Sequence, residues 1–110
     1  MTHQGLGEFE QFVLLALFHL GGESYAVPIV DEIEKRTGRS VSRAAVYVTL
    51  RRLEDKGLLS SWLGESTPER GGKARRHVKL EAEGARVLRE AREVGELMWS
   101  GVSPAMLRTR

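Results

Sequence analysis

Between Ser42 and Leu80 the sequence gathers side chains suited to phosphates and to the edges of bases. Arg51 and Arg52 each carry a planar guanidinium whose N–H donors match two phosphate oxygens, or O6 and N7 of guanine. Tyr47 and Ser42 supply hydroxyls that can donate to phosphate oxygens, and Arg43 adds another cation beside Ser42. Ala44 and Val48 share the outward side of the same run, and the small Ala44 permits close approach to a groove floor. Further on, Arg70, Lys73, Arg75 and Arg76 place four cations in seven positions around Gly71-Gly72. A glycine pair lets backbone come close to a surface and adapt to it. The chemistry these residues offer is charge neutralisation and hydrogen bonding to a nucleic acid.

Charge distribution agrees with this. The 110 residues carry a net charge of +2, but it is spread unevenly. Residues 39–79 hold ten Lys/Arg against four Asp/Glu, a net of +6, and residues 1–38 hold two against six, a net of −4. A local basic block steers association with phosphate polymers. The alternative is a solvated basic surface, with Arg51 and Arg52 paired to Glu54 and Asp55.

Other chemistry finds little support. No cysteine is present, which excludes disulfides and Cys-ligated metals. His3, His19 and His77 are scattered without a carboxylate at ligand spacing, so neither a metal site nor a cofactor is expected. No Ser/His/Asp arrangement suggests catalysis. Gly71-Gly72 lies between two strand-like runs, which is the wrong context for a nucleotide-binding loop. The N-terminus lacks a basic region with a cleavage site, and the longest apolar run, Phe12–Phe18, is too short for a bilayer. A cytoplasmic protein without a membrane partner is expected.

The elements that position these residues follow from periodicity. Leu6–Leu20 reads as a helix apolar on more than one face, which implies burial against more than one partner surface. Ser24 is expected to cap a second helix running to about Arg36, with Ala26, Val30 and Ile33 inward and Ile29 beside them. Ser42 is expected to cap a third helix, 42–56, held down by Val46, Leu50 and Leu53 and stopped by Gly57. Leu58–Leu63 and Arg75–Leu80 read as strands flanking a turn-rich loop, with Trp62 covering the core beneath them. A last helix from Glu83 to about Ser100 repeats Val87, Ala91, Val94 and Met98 at 4-3-4 spacing, a coiled-coil-like seam. The fold class is therefore mainly α with a small β-hairpin: a winged helix-turn-helix of three helices and a two-stranded wing, plus a C-terminal dimerisation helix. The expected division is a DNA-binding domain over 1–81, a dimerisation helix over 82–102 and a flexible tail over 103–110. Phe9, Phe12, Val13, Val87, Ala91, Val94 and Met98 are the candidate subunit interface.

The segments LGEFEQFVLLAL, SYAVPIVDEIEKRTGRSVS, AAVYVTLRRLEDKGLLSS and TPERGGKARRHVKLEAEGARVL, spanning about residues 6–88, resemble the PadR family of bacterial transcriptional regulators. The resemblance implies a dimeric winged-helix repressor whose C-terminal helix packs on the partner's N-terminal helix. It implies that Tyr47 contacts the DNA backbone and that helix 42–56 enters the major groove. Arg75 and Gly71-Gly72 would belong to the wing (64–76), lying on the backbone or in the minor groove. The implied partner is double-stranded DNA with a pseudo-palindromic operator. Ala26 stands where the family usually has Gly, and Glu81 where it usually has a capping Thr or Ser. Some members bind flat hydrophobic effectors between subunits; Met98 and Trp99 are the candidates here, against a plain packing role. The competing reading from another class is a winged-helix protein-interaction module without specific DNA binding.

Overall fold

The computed structural model describes residues 5–64 and 74–108. Their order is α1 (Glu8–His19), β1 (Glu23–Tyr25), α2 (Ala26–Thr37), α3 (Arg43–Asp55), β2 (Leu59–Leu63), β3 (Arg76–Leu80), α4 (Ala82–Trp99) and α5 (Pro104–Arg108). The three strands form one antiparallel sheet in the order β1-β3-β2.

Helices α1, α2 and α3 close around a single core. Val13, Leu14 and Leu17 meet Ile29 and Ile33, and Val46, Leu50 and Leu53 complete the layer. Val78 of the sheet and Val87 and Leu88 of α4 seal its other side. Each helix stops where its sequence supplies a breaker. Gly38 adopts φ +73° and its N–H bonds the Glu34 carbonyl; Gly57 adopts φ +78°, letting the Leu58 N–H reach back to the Leu53 carbonyl. Both are left-handed caps that a residue with a Cβ adopts only under strain. The turn between α2 and α3 is tied by the Glu34 carboxylate, which accepts the Val41 N–H at 2.8 Å.

Four expectations are corrected. Ser24 does not cap α2: it is buried in β1 opposite Val78, and α2 starts one residue after Tyr25. Residues 23–25 pair with the free edge of β3, so the expected hairpin becomes a three-stranded sheet. A strand of three residues is too short to show periodicity. Trp62 does not cover the core. It sits on the sheet's outer face, more than a third exposed and stacked on His77 at 5.7 Å between ring centres. Val13 and Val87, expected between subunits, are instead spent in this chain's own core, Val13 with no exposed surface at all.

Helix α4 begins in direct backbone contact with the turn after α3. A Cβ on Gly84 would lie 2.4 Å from the Leu58 carbonyl oxygen, so only glycine fits there. The Glu81 N–H bonds the same carbonyl at 3.0 Å. Glu81 caps α4 without a side-chain bond to the helix; its carboxylate accepts the Ser60 hydroxyl instead, at 2.7 Å. Beyond Leu88 no residue of α4 is fully buried. Within the expected tail, Pro104–Arg108 forms a short exposed helix.

Two ion pairs link α1 to the turn before α3 and to the C-cap of α3. Arg39 Nη1 donates to Glu8 at 2.9 Å, and Lys56 Nζ donates to Glu10 at 2.8 Å. Glu10 also accepts the Gly7 N–H at 2.9 Å, closing the first turn of α1. Partial burial pushes the Glu10 carboxyl upward, but the hydrogen bonds from Lys56 and Gly7 and the nearby charges of Lys56 and Arg52 outweigh it, leaving it below the ordinary glutamate value. A carboxylate with a depressed native pKa stabilises the fold above its unfolded pKa and loses that contribution as pH falls through the native one. Denaturant melts across the acid range are therefore expected to show a shallower loss of stability in Glu10→Gln than in the wild type. An identical acid limb would contradict this.

Candidate nucleic-acid interface

The outer face of α3 is set by how its inner face is held. With Val46, Thr49, Leu50 and Leu53 buried, residues 43, 44, 47, 48, 51 and 52 have no choice but to face outward. Ser42 caps the helix as expected, its Oγ accepting the Ala45 N–H at 3.0 Å. Tyr47 is 53% exposed and Val48 52%. The pairing of Arg51 or Arg52 with Glu54 or Asp55, left open by the sequence, is not formed. Among the described residues no carboxylate is in ion-pair contact with Arg43, Arg51 or Arg52, and Glu54 is turned toward the sheet.

The sheet brings two more arginines beside this helix. Arg75 and Arg76 are consecutive, so they point to opposite faces of the strand direction. Arg75 lies over the Tyr25 ring, with its guanidinium carbon 4.1 Å from the ring centre. Tyr25 in turn meets His77 edge-on, and His77 stacks on Trp62, so the row Tyr25–His77–Trp62 crosses all three strands. A guanidinium over an aromatic face is held by the ring quadrupole and keeps its N–H edges free. Arg76 points to the α3 side, where its Nη1 donates to Ser61 Oγ at 2.9 Å.

Two grooves flank Tyr47. One, of about 460 Å³, runs between α3 and the sheet and is lined by Tyr47, Leu50, Arg51, Glu54, Ser61, Arg76 and Val78. The other, of about 320 Å³, includes Tyr25, Arg43, Tyr47, Arg75 and Arg76. Tyr47 and Arg76 belong to both, so the structure draws Arg43, Tyr47, Arg51, Arg75 and Arg76 together. Arg70, Gly71, Gly72 and Lys73 lie outside the described residues. Sequence reading missed Tyr25, Glu54 and Ser61 as supports of the two strand arginines. Tyr25 and Ser61 emerge from the strand register and Glu54 from the packing of α3 beside β2, because Arg75 and Arg76 lie far from all three in the chain.

The remaining candidates lie apart from this site: Phe12 borders α2, and Ala91 and Val94 lie along α4 beside Leu6 and Gln11. Phe9 and Phe12 are partly buried against the core, Ala91 is half-buried, and Val94, Met98 and Trp99 are exposed. Leu97 and Met98 stand 75% and 78% exposed, and Val102, Met106 and Leu107 are exposed as well. Among the described residues no cluster of His, Cys, Asp and Glu could hold a metal ion, and no helix is long and apolar enough to cross a membrane.

Residues 14–90 match the Transcriptional regulator PadR-like family. The fold is similar to that of a PadR family transcriptional regulator from Eggerthella lenta, at 30% identity over 94% of this chain and 88% of the other, with a TM-score of 0.70. It is also similar to a PadR-like transcriptional regulator from Bacillus cereus (20% identity, 93% of each chain, TM-score 0.69). A third similar structure is BpsR of Bordetella bronchiseptica, whose DNA binding is regulated by 6-hydroxynicotinic acid (21% identity, 97% and 75% covered, TM-score 0.62). No curated protein matches the chain.

Proposed function

We propose, from the premise that the chain belongs to the PadR-like family of transcriptional regulators, that it is a homodimeric repressor which binds a pseudo-palindromic operator in the cytoplasm. The family consists of DNA-binding regulators and not of enzymes. In this reading α3 enters the major groove, Ala44 and Val48 approach the groove floor, and Arg51 reads a base edge or pairs with a phosphate. Tyr47, Arg75 and Arg76 lie along the backbone. The observation that carries the reading is the convergence on Tyr47 of two grooves lined by four arginines. It also weighs against a protein-interaction module, because four arginines gathered on one face suit the phosphates of a duplex.

Every cation placed on a phosphate releases counterions, so binding should weaken with salt along a line whose slope counts the contacts. Titrating salt against a duplex taken from upstream of the protein's own gene should give a steep line. Arg75→Glu with Arg76→Glu should weaken binding and flatten that line by about two contacts. An unchanged slope would remove the wing from the interface, and no binding at low salt would favour the interaction module.

Dimerisation through α4 is supported by the apolar row Val94, Leu97 and Met98, each more than half exposed. Two-fold symmetry would set half-sites about one helical turn apart. Sedimentation should show a dimer for the wild type and a monomer for Leu97→Asp, because a carboxylate forced into an apolar seam costs several kcal/mol, roughly. A dimer that survives this change would move the interface elsewhere.

Release by a flat hydrophobic effector near Met98 and Trp99 belongs to the same reading. Its support is the exposure of both side chains and the regulation of BpsR by a small aromatic acid. In Trp62→Phe protein, where Trp99 is the sole indole, such a ligand should quench fluorescence. Constant emission across a broad panel of planar aromatic acids would leave only a packing role.

A further inference from the structure

Helix α3 and the hairpin are joined across the larger groove by one polar chain of three side chains. Ser61 lies on β2 in register with Val78, so its side chain points toward α3. Its Oγ is 2.8 and 2.9 Å from the two carboxylate oxygens of Glu54, near the C-terminal end of α3. A hydroxyl has one hydrogen, which it donates to one of those oxygens at a time; its lone pairs then accept Arg76 Nη1–H at 2.9 Å. The carboxylate therefore orients the arginine without touching it. A direct ion pair would occupy two N–H groups of the guanidinium and neutralise it. Among the described residues a single N–H is used, Nη1 to Ser61, and the others are left for another anion.

We propose that Glu54 and Ser61 are positioning residues for DNA binding. They hold the Arg76 guanidinium at the mouth of the groove, beside Tyr47 and Arg51, with its free N–H edge presented to a backbone phosphate. The inference rests on the DNA-binding reading and deepens it. It also accounts for a carboxylate inside a basic site, where on charge alone it works against an incoming phosphate.

That opposition supplies the test. If Glu54 acts only through its charge, Glu54→Ala strengthens binding. If it positions Arg76, the same change weakens binding although a negative charge has been removed. Binding would be followed by salt titration on a mixed-sequence duplex of about two helical turns, since phosphate contacts do not depend on sequence. Arg76→Gln should weaken binding about tenfold, as expected for loss of one charged hydrogen-bonded contact, and lower the salt slope by about 0.9. Ser61→Ala should reproduce most of both effects, and the double variant should be no worse than Arg76→Gln alone. Ser61→Thr restores the hydroxyl and should restore binding, with thermal melts showing that all variants remain folded. Stronger binding in Glu54→Ala, or additive losses in the Ser61/Arg76 double variant, would overturn the positioning role while leaving the DNA-binding reading intact. A wild-type chain that binds no duplex would overturn both.

Discussion

The burial of Val46, Leu50 and Leu53 against α1 and α2 decides the rotation of α3 about its own axis, and with it everything the protein can present on that side. A helix offers each residue a fixed direction roughly every hundred degrees of turn. Once three large apolar groups at i, i+4 and i+7 are locked into a core that has no room for an alternative, Tyr47, Val48 and Arg51 are directed outward as a set. Packing density makes this rotation hard to alter, because a few degrees of roll would open voids on one side and cause clashes on the other. The affinity of the outer face is thus specified largely by the inner one.

Electrostatics divides the basic residues into two groups by the same construction. Arg39 and Lys56 bracket α3, and the acidic start of α1 takes both of them through Glu8 and Glu10. Arg36 and Lys35 both pair with Glu32 within α2, and the Arg36 contact holds the Glu32 carboxyl below its ordinary range. The acidic N-terminal third therefore neutralises cations on its own side of the molecule. Among the described residues the arginines of the α3 face and of the β3 end are in no ion pair, and two are steered by neutral partners: an aromatic ring for Arg75 and a hydroxyl for Arg76.

Much of the architecture could be read in the residue pattern, because most elements announce themselves locally. Ser42, the Val46/Leu50/Leu53 stripe and Gly57 mark α3 from cap to stop within sixteen positions. The resemblance carried by AVYVTLRRLEDKGLL pointed to the same element. What stayed hidden depends on distant partners. Residues 23–25 become a strand only because β3 offers an open edge. Trp62 looks like a core residue by type, yet its register opposite His77 places it outside. Val13 and Val87 fit a subunit seam by spacing, and only the three-dimensional packing reveals that the protomer has already used them. The support of Arg76 by Glu54 and Ser61 spans fifteen to twenty-two positions of sequence and leaves no periodic trace.

The glycine at position 84 has a mechanical meaning. Helix α4 is a stiff rod of eighteen residues, about 27 Å long, gripped near its first turn where its backbone lies on the Leu58 carbonyl. Leu58 is bonded in turn to the Leu53 carbonyl inside α3. Val87 and Leu88, buried in the core, extend that grip over the first two turns, and the residues beyond them form the long arm of a lever. A load on that arm would bear, through the grip, on the C-terminal end of the helix that carries Tyr47 and Arg51.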